Sequence, residues 1–118
     1  MISDALFLFE RNDTMICHYN DSIAIYCGIN SALISSYLWD EAQKHGKIIH
    51  GKNWYRCAQK RMTAIYPFLG RYAVSSAIKR LENAGIIVRA EHNASAFDRT
   101  LSYSFTSYGQ ALMEEQNG

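Results

Sequence analysis

Residues 66–87 decide the fold of this chain, and their sequence is YPFLGRYAVSSAIKRLENAGII. Pro67 disfavours helical backbone at the residue before it, so one helix is expected to end at Tyr66. Within 71–84, apolar residues recur at the spacing i, i+3, i+4, i+7, which predicts an amphipathic helix. Its buried stripe is predicted to contain Val74, Ala77, Ile78 and Leu81. Gly85 can adopt the left-handed backbone that commonly ends a helix, so two helices joined by a short turn are expected.

Two strands are predicted to follow this helix. Apolar and polar residues alternate in 86–90 and again in 101–105, which is typical of an antiparallel pair buried on one side. The small polar residues at 92–96 suit a protruding tip between the strands. Thr106 or Ser107 is expected to cap a final helix.

Two further helices are predicted nearer the N-terminus. Asp21 is expected to cap a short helix over 22–27, and Asn30 a longer helix over 31–45 that stops at Gly46. The buried stripe of the longer helix is predicted to contain Leu33, Ile34, Tyr37, Leu38 and Ala42.

A hairpin and another helix connect these two halves. Strand-forming residues flank a glycine-containing turn within 47–56, which predicts a small hairpin. A helix is expected from 57 to 65, with Lys60 and Arg61 pointing to solvent. Its inward residues are predicted to be Ala58, Met62 and Ile65.

The order of these motifs resembles a known family. Trp54, the turn at 66–69, the helix end at 81–87 and the triplet at 98–100 together resemble the N-terminal winged-helix domain of phage and plasmid replication initiators, of the replisome-organiser type. Separately, residues 103–112 are similar to the strand-to-helix ending of small bacterial winged-helix transcription regulators.

The resemblance implies one α+β, mostly α, domain over 1–118. It is a winged helix-turn-helix with a C-terminal two-stranded wing and a short extra hairpin. The expected parts are an N-terminal arm at 1–14, a short strand at 15–18, the helix-turn-helix at 57–84, the wing at 86–106 and a C-terminal helix or tail at 107–118. The implied function is duplex DNA binding, in a bacterial or phage transcription regulator or replication accessory factor. The alternative is a protein-interaction module on the same fold, such as a phage-encoded inhibitor or adaptor.

The charge distribution also favours a polyanionic partner. The chain carries a net charge of only +1, but 42–81 contains nine basic residues and no acidic one. The flanking segments, 1–41 and 82–118, sum to −5 and −3. A basic band in an otherwise acidic chain is typical of nucleic-acid binding, and a solvated surface is the alternative. The band consists of Lys44, Lys47, Lys52, Arg56, Lys60, Arg61, Arg71, Lys79 and Arg80.

In such a fold, three groups of side chains are expected to contact DNA. The phosphate backbone is expected to meet Lys60, Arg61, Arg71 and Arg80. Asn93 and Arg99 in the wing are expected to reach a neighbouring minor groove. Base contacts would come from the outer face of the second helix, which holds Tyr72, Ser75, Ser76, Lys79 and Asn83.

This outer face departs from the family pattern. Gly70 stands where the family usually has Ser or Thr, and only Lys79 is basic among the five outward residues. We therefore expect contacts dominated by the DNA backbone, with modest base specificity that dimerisation across a palindrome would improve. A homodimer and a separate protein partner both stay open.

Several of these side chains have an ordinary structural alternative. Arg99 can instead pair with Asp98 or Glu91, and Tyr72 can pack against the wing or a partner chain. A solvated helix position is the alternative for Arg71 and Arg80. A place in the core, rather than stacking on a ligand, is expected for Trp39 and Trp54.

Other classes of function find little support in the composition. No Ser/His/Asp order, glycine-rich phosphate loop or metal-ligand spacing is recognisable, so we expect no enzyme, catalytic residue, metal ion or cofactor. Adjacent Asp40 and Glu41 would diverge on a helix. No apolar stretch approaches the ~18 residues of a membrane helix, and a cytoplasmic protein without a membrane partner is expected. Free thiols are expected for Cys17, Cys27 and Cys57.

Overall fold

The computed structural model describes residues 19–117. Within that range, five helices and four strands form an α+β domain that is mostly helical, as the sequence predicts. The helices are α1 (Asp21–Cys27), α2 (Ile29–His45), α3 (Gln59–Ile65), α4 (Arg71–Asn83) and α5 (Ser107–Asn117). The strands are β1 (Lys47–Ile49), β2 (Lys52–Arg56), β3 (Ile87–Ala90) and β4 (Ser102–Phe105). The arm expected over 1–14 and the strand expected over 15–18 lie outside the described residues.

The predicted hairpin and the predicted strand pair belong to one antiparallel sheet, in the order β1-β2-β4-β3. Tyr55 of β2 lies opposite Tyr103 of β4, which joins the two halves of the sheet. As a central strand, β4 is buried at all four positions, so the prediction that it is buried on one side only is wrong. The buried hydroxyl of Ser104 donates to the carbonyl of Asn53 at 2.7 Å, which offsets the cost of its burial.

The core lies where α2 packs against α1 and α4. The predicted stripe of α4 is confirmed, because Val74, Ala77, Ile78 and Leu81 are all buried. The stripe of α2 is also confirmed, with Tyr37 half-buried at its margin. Ser31 lies in this core, and its hydroxyl donates to the carbonyl of Ala77 at 3.0 Å. This bond ties α2 directly to the backbone of α4.

Three predicted helix starts are wrong by one or two residues. Asn20, not Asp21, caps α1, and its Oδ1 accepts from the amide of Ile23 at 3.0 Å. The Asn20 amide also donates to the carbonyl of Leu112 in α5 at 2.8 Å, a long-range bond that favours this cap. The second helix begins directly after Gly28, whose φ of 92° turns the chain, and not after Asn30.

The helix expected from 57 begins at Gln59. Met62 is buried as predicted, and Lys60 and Arg61 are exposed. The inward positions predicted for Ala58 and Ile65 are wrong, because both side chains are exposed. With only seven residues, α3 buries a narrow stripe.

The ends of α4 and α5 are fastened to each other. Gly85 has the left-handed φ of 75° that was predicted for the stop of α4. Thr106 caps α5, since its Oγ1 accepts from the amide of Gly109 at 2.9 Å, and the same hydroxyl donates to the Gly85 carbonyl. A Cβ at Gly109 would collide with the carbonyl oxygen of Ile86, so α5 approaches the start of β3 closely.

Candidate nucleic-acid interface

The outer face of α4 is open to solvent along its length. Tyr72 is 87% exposed, so it does not pack on the loop between β3 and β4. The Lys79 ammonium makes no hydrogen bond or ion pair with another described residue. This predicted face carries no packing role, and all five of its side chains are exposed: Tyr72, Ser75, Ser76, Lys79 and Asn83.

The two arginines expected to flank this face differ in their surroundings. Arg71 is exposed at the start of α4 and has no partner among residues 19–117. Arg80 points toward α1, where its Nη1 donates to the carbonyl of Cys27 at 3.4 Å. A cation at the C-terminal end of a helix is stabilised by the helix dipole. Arg80 therefore has a structural partner, and Arg71 is the freer cation.

A basic groove runs between α3 and the end of β2. Its basic side chains are Arg56, Lys60 and Arg61, and Thr100 from the β3–β4 segment lines its other side. The groove is therefore bordered by β2, α3 and the loop that connects β3 to β4, and α3 also packs against α4. The Lys60 ammonium has no bonded partner among the described residues, and the Lys60 carbonyl accepts from the Thr63 hydroxyl.

A chain of hydroxyl groups holds Arg61 at the edge of this groove. The Arg61 Nε donates to the Tyr37 hydroxyl at 3.0 Å, and that hydroxyl lies 3.2 Å from the Tyr55 hydroxyl. Tyr55 in turn donates to the Glu41 carboxylate at 3.4 Å. The bond to Tyr37 raises the pKa of Arg61, and burial together with Tyr37 raises the pKa of Tyr55. Arg61 is therefore a fixed cation whose remaining N–H groups are available at the groove.

The floor of the groove contains an unreactive thiol. Cys57 is buried, and burial raises its pKa, so the thiol is protonated at neutral pH. Burial likewise raises the pKa of Cys27 under α4. The expectation of free thiols is confirmed for these two residues, and Cys17 lies outside the described residues.

The segment 91–101, the β3–β4 loop, is ordered by its own side chains. The Asn93 amide donates to the carbonyls of Asp98 at 2.8 Å and Thr100 at 2.7 Å, and its Oδ1 accepts from Arg56 at 2.8 Å. The Asp98 carboxylate accepts from the Thr100 amide and pairs with Arg56. The Thr100 bond, followed by Arg56, lowers the pKa of Asp98. Both amide hydrogens of Asn93 are thus engaged inside the loop.

Sequence reasoning missed two residues of this region, Arg56 and Phe97. The Asp98 carboxylate pairs with Arg56 and not with Arg99. Arg99 does not pair with Glu91 either, so neither alternative considered for Arg99 is found. Arg99 is exposed without a bonded partner among the described residues. Phe97 is 96% exposed. In the sequence, the feature that could have indicated Phe97 is a single aromatic residue directly after the small polar residues of 92–96.

The two tryptophans pack against neighbouring rings. The Trp39 ring lies edge-on to Phe105, with centroids 5.1 Å apart, and contributes to the core margin. The Trp54 ring meets His92 edge-on at 4.6 Å, on the surface of the sheet. Trp39 therefore packs against the core as expected, whereas Trp54 is half-buried beside the β3–β4 loop.

A second surface is apolar. A groove between α1 and α5 is lined by apolar side chains, including Ile23, Ile86 and Leu112. Beside it, Tyr26 is 82% exposed, and Ile25 and Tyr108 are exposed as well. This apolar surface consists of Ile25, Tyr26, Tyr108 and the groove, which reaches Ala84 at the end of α4.

No group of three or more His, Cys, Asp or Glu side chains within 19–117 is arranged to hold a metal ion. Among the described helices, none combines the length and the apolar character needed to cross a bilayer.

A scan against protein-family models, a search of curated proteins and a search of solved structures each find no match to this chain.

Proposed function

We propose that this chain is a winged helix-turn-helix domain that binds duplex DNA mainly through the phosphate backbone. The α3–α4 pair is the helix-turn-helix, α4 is the recognition helix and the β3–β4 hairpin is the wing. The supporting observation is a set of cations on α3, on α4 and in the β3–β4 loop that have no ionic partner within residues 19–117: Lys60, Arg61, Arg71, Lys79 and Arg99.

The neighbouring acids do not cancel this charge. Glu82 is paired with Arg89 at 3.0 Å, and Asp98 is paired with Arg56. Residues 56–99 contain eight basic and three acidic side chains, which gives a net charge of +5. Such an excess attracts the polyanionic DNA backbone and releases its counterions on binding.

Base recognition is modest in this arrangement. With α4 in the major groove, Lys79 can donate to the acceptor atoms of guanine. The hydroxyls of Ser75 and Ser76 can bond to either a donor or an acceptor on a base edge, so they discriminate little. Tyr72 and Asn83 complete the face. Since one lysine among five residues supplies little discrimination, two copies of the domain on a palindrome would bind more selectively.

The biological role proposed for this activity is a small transcription regulator or replication accessory factor of bacterial or phage origin, acting in the cytoplasm. The family resemblance of the motifs between Trp54 and Tyr103 supports this assignment.

A titration of the isotope-labelled chain with a random duplex of about 20 base pairs tests the proposal. At low salt, we expect backbone amide shifts to change along α4, at Lys60 and in the β3–β4 loop. Amides near the apolar surface of α1 and α5 should stay unchanged and serve as the internal control. Absence of any change at about 50 mM salt would contradict DNA binding.

Protein binding is the second candidate, and the apolar surface of α1 and α5 favours it. Contiguous exposed apolar groups often mark contacts between proteins. A homodimer through this surface is the simplest form, and light scattering tests it. We expect a dimer that Tyr26→Ser converts to a monomer, with Tyr72→Ser as the matched control. A monomeric wild type would contradict the homodimer.

A further inference from the structure

The β3–β4 loop presents an aromatic ring to solvent from a well-fastened backbone. Asn93 bridges the carbonyls of Asp98 and Thr100, and Arg56 holds both Asn93 and Asp98 from the neighbouring strand. The turn itself is closed where the amide of Asp98 donates to the Ser95 carbonyl at 3.2 Å. The backbone on both sides of Phe97 is therefore positioned before any partner arrives.

The backbone amide of Phe97 is bonded within the loop, and its phenyl ring is not covered. The amide of Phe97 donates to the Ser95 hydroxyl at 3.2 Å, while the Phe97 side chain is 96% exposed. Large apolar side chains are usually covered by other parts of the protein. A hydrogen-bonded loop that holds an aromatic ring in the solvent is therefore uncommon.

The charge beside the ring identifies its partner. Arg99 follows Phe97 by two residues and is exposed, with no bonded partner in the described part of the chain. Lys60 lines the adjacent groove, which Thr100 of the same loop also borders. An apolar ring with a free arginine two residues away, on a loop that borders a basic groove, fits an anionic partner with apolar planes inside it, and stacked base pairs in duplex DNA are such a partner.

We propose that Phe97 is a wedge that enters between two base pairs from the minor groove and kinks the bound duplex. This inference rests on the DNA-binding function proposed above and goes beyond it. The Arg99 guanidinium follows the ring into the groove and meets its negative potential. The kink costs stacking and is offset by wider contact between DNA and protein.

The wedge supplies selectivity that α4 lacks. Pyrimidine–purine steps such as TA and CA/TG unstack and kink more easily than other steps. A protein that inserts Phe97 therefore prefers sites with such a step beneath the loop, although no side chain reads its bases by hydrogen bonds. The few base-reading groups on α4 are then sufficient to set the register.

Fluorescence measurements on one duplex test the wedge and the DNA binding separately. The probe is a duplex of about 20 base pairs with a central TA step, a 2-aminopurine beside it and a donor–acceptor pair at its ends. Binding is followed by anisotropy, unstacking by 2-aminopurine emission and bending by energy transfer. The proteins are wild type, Phe97→Ala and the conservative control Phe97→Leu.

We expect wild type and Phe97→Leu to raise both the 2-aminopurine emission and the energy transfer. Phe97→Ala should bind within a few-fold of the wild-type affinity, with the same salt dependence, and leave both signals at the free-DNA level. The exposed position of residue 97 makes misfolding of this variant a minor concern, and circular dichroism checks it.

Two outcomes would overturn the wedge while leaving DNA binding intact: wild type binds without either signal, or Phe97→Ala produces both signals in full. No binding by wild type at low salt would overturn the wedge and the proposed function together. If Phe97→Ala changes the oligomeric state in light scattering but not the DNA signals, the ring serves a protein contact and the wedge is wrong.

Discussion

The salt dependence of DNA binding follows from a count of available cations. Arg80 is left out of this count because its guanidinium donates to the Cys27 carbonyl. Five other basic side chains on the proposed interface have no ionic partner among the described residues: Lys60, Arg61, Arg71, Lys79 and Arg99. Each cation that neutralises DNA charge, at a phosphate or inside a groove, contributes about −0.9 to the slope of log affinity against log salt, so five cations predict a slope of about −4.5. A fourfold rise in salt should then weaken binding roughly 500-fold.

The double variant Arg71→Ala, Lys79→Ala removes two of these contacts. Its slope should flatten to about −2.7, and the same rise in salt should weaken binding only ~40-fold. Fluorescence anisotropy with a labelled random duplex, from about 50 to 200 mM salt, measures both slopes.

A charge-matched control separates local contacts from net charge. Lys44 and Lys47 are exposed near the end of α2 and in β1, and neither lines the basic groove or belongs to α4 or the β3–β4 loop. The variant Lys44→Ala, Lys47→Ala has the same net charge as the test variant and should keep the wild-type slope. If the control flattens the slope as much as the test variant does, the assignment of contacts to α4 is refuted.

Further outcomes follow from the core, the loop and the thiols. Leu81→Ala removes a fully buried side chain and should lower the free energy of unfolding in urea by about 2–5 kcal/mol. Arg56→Met breaks a half-exposed ion pair, so stability should fall by less than about 1 kcal/mol, whereas hydrogen exchange in the β3–β4 loop should accelerate markedly. Folding lowers the pKa of Asp98, so its carboxylate stabilises the loop above an unfolded pKa near ~4. That contribution should disappear as the pH falls through the folded value, and the amide shift of Thr100 should titrate with it; a flat titration would contradict the bond. The Cys57 thiol should react slowly with a disulfide reagent at about pH 8 in the native protein and rapidly in urea, and equal rates would show that it is not buried.

Local patterns in the sequence predicted the helical part of the fold well. The stripe of α4 has an unambiguous 3.6-residue period, and the stop at Gly85 needs only a residue that tolerates positive φ. The start of α1 was misplaced because neighbouring Asn20 and Asp21 are both good caps. A bond to Leu112, far along the chain, accompanies the choice of Asn20.

Long-range pairing explains what the sequence did not predict. The match of Tyr55 with Tyr103 joins two strand pairs that look independent in the sequence. The site predicted from the sequence lacked the role of Arg56 for the same reason. Arg56 of β2 donates to Asn93 and pairs with Asp98, which both lie in the distant β3–β4 loop. No periodicity in the sequence indicates that a strand arginine fastens a distant loop, and the role of Phe97 as an exposed ring depends on that loop.

The way α4 is held has a consequence for how such a domain can diversify. Its inner side is fixed by a buried stripe and by the Ser31 bond to the Ala77 backbone, while its five outward side chains support nothing else. Substitutions at Tyr72, Ser75 or Ser76 can therefore accumulate with little loss of stability. Under the proposed function, a lineage of related chains can change the DNA that it recognises by exchanging these residues alone, and the same positions are the natural ones to randomise in a selection for new binding sequences.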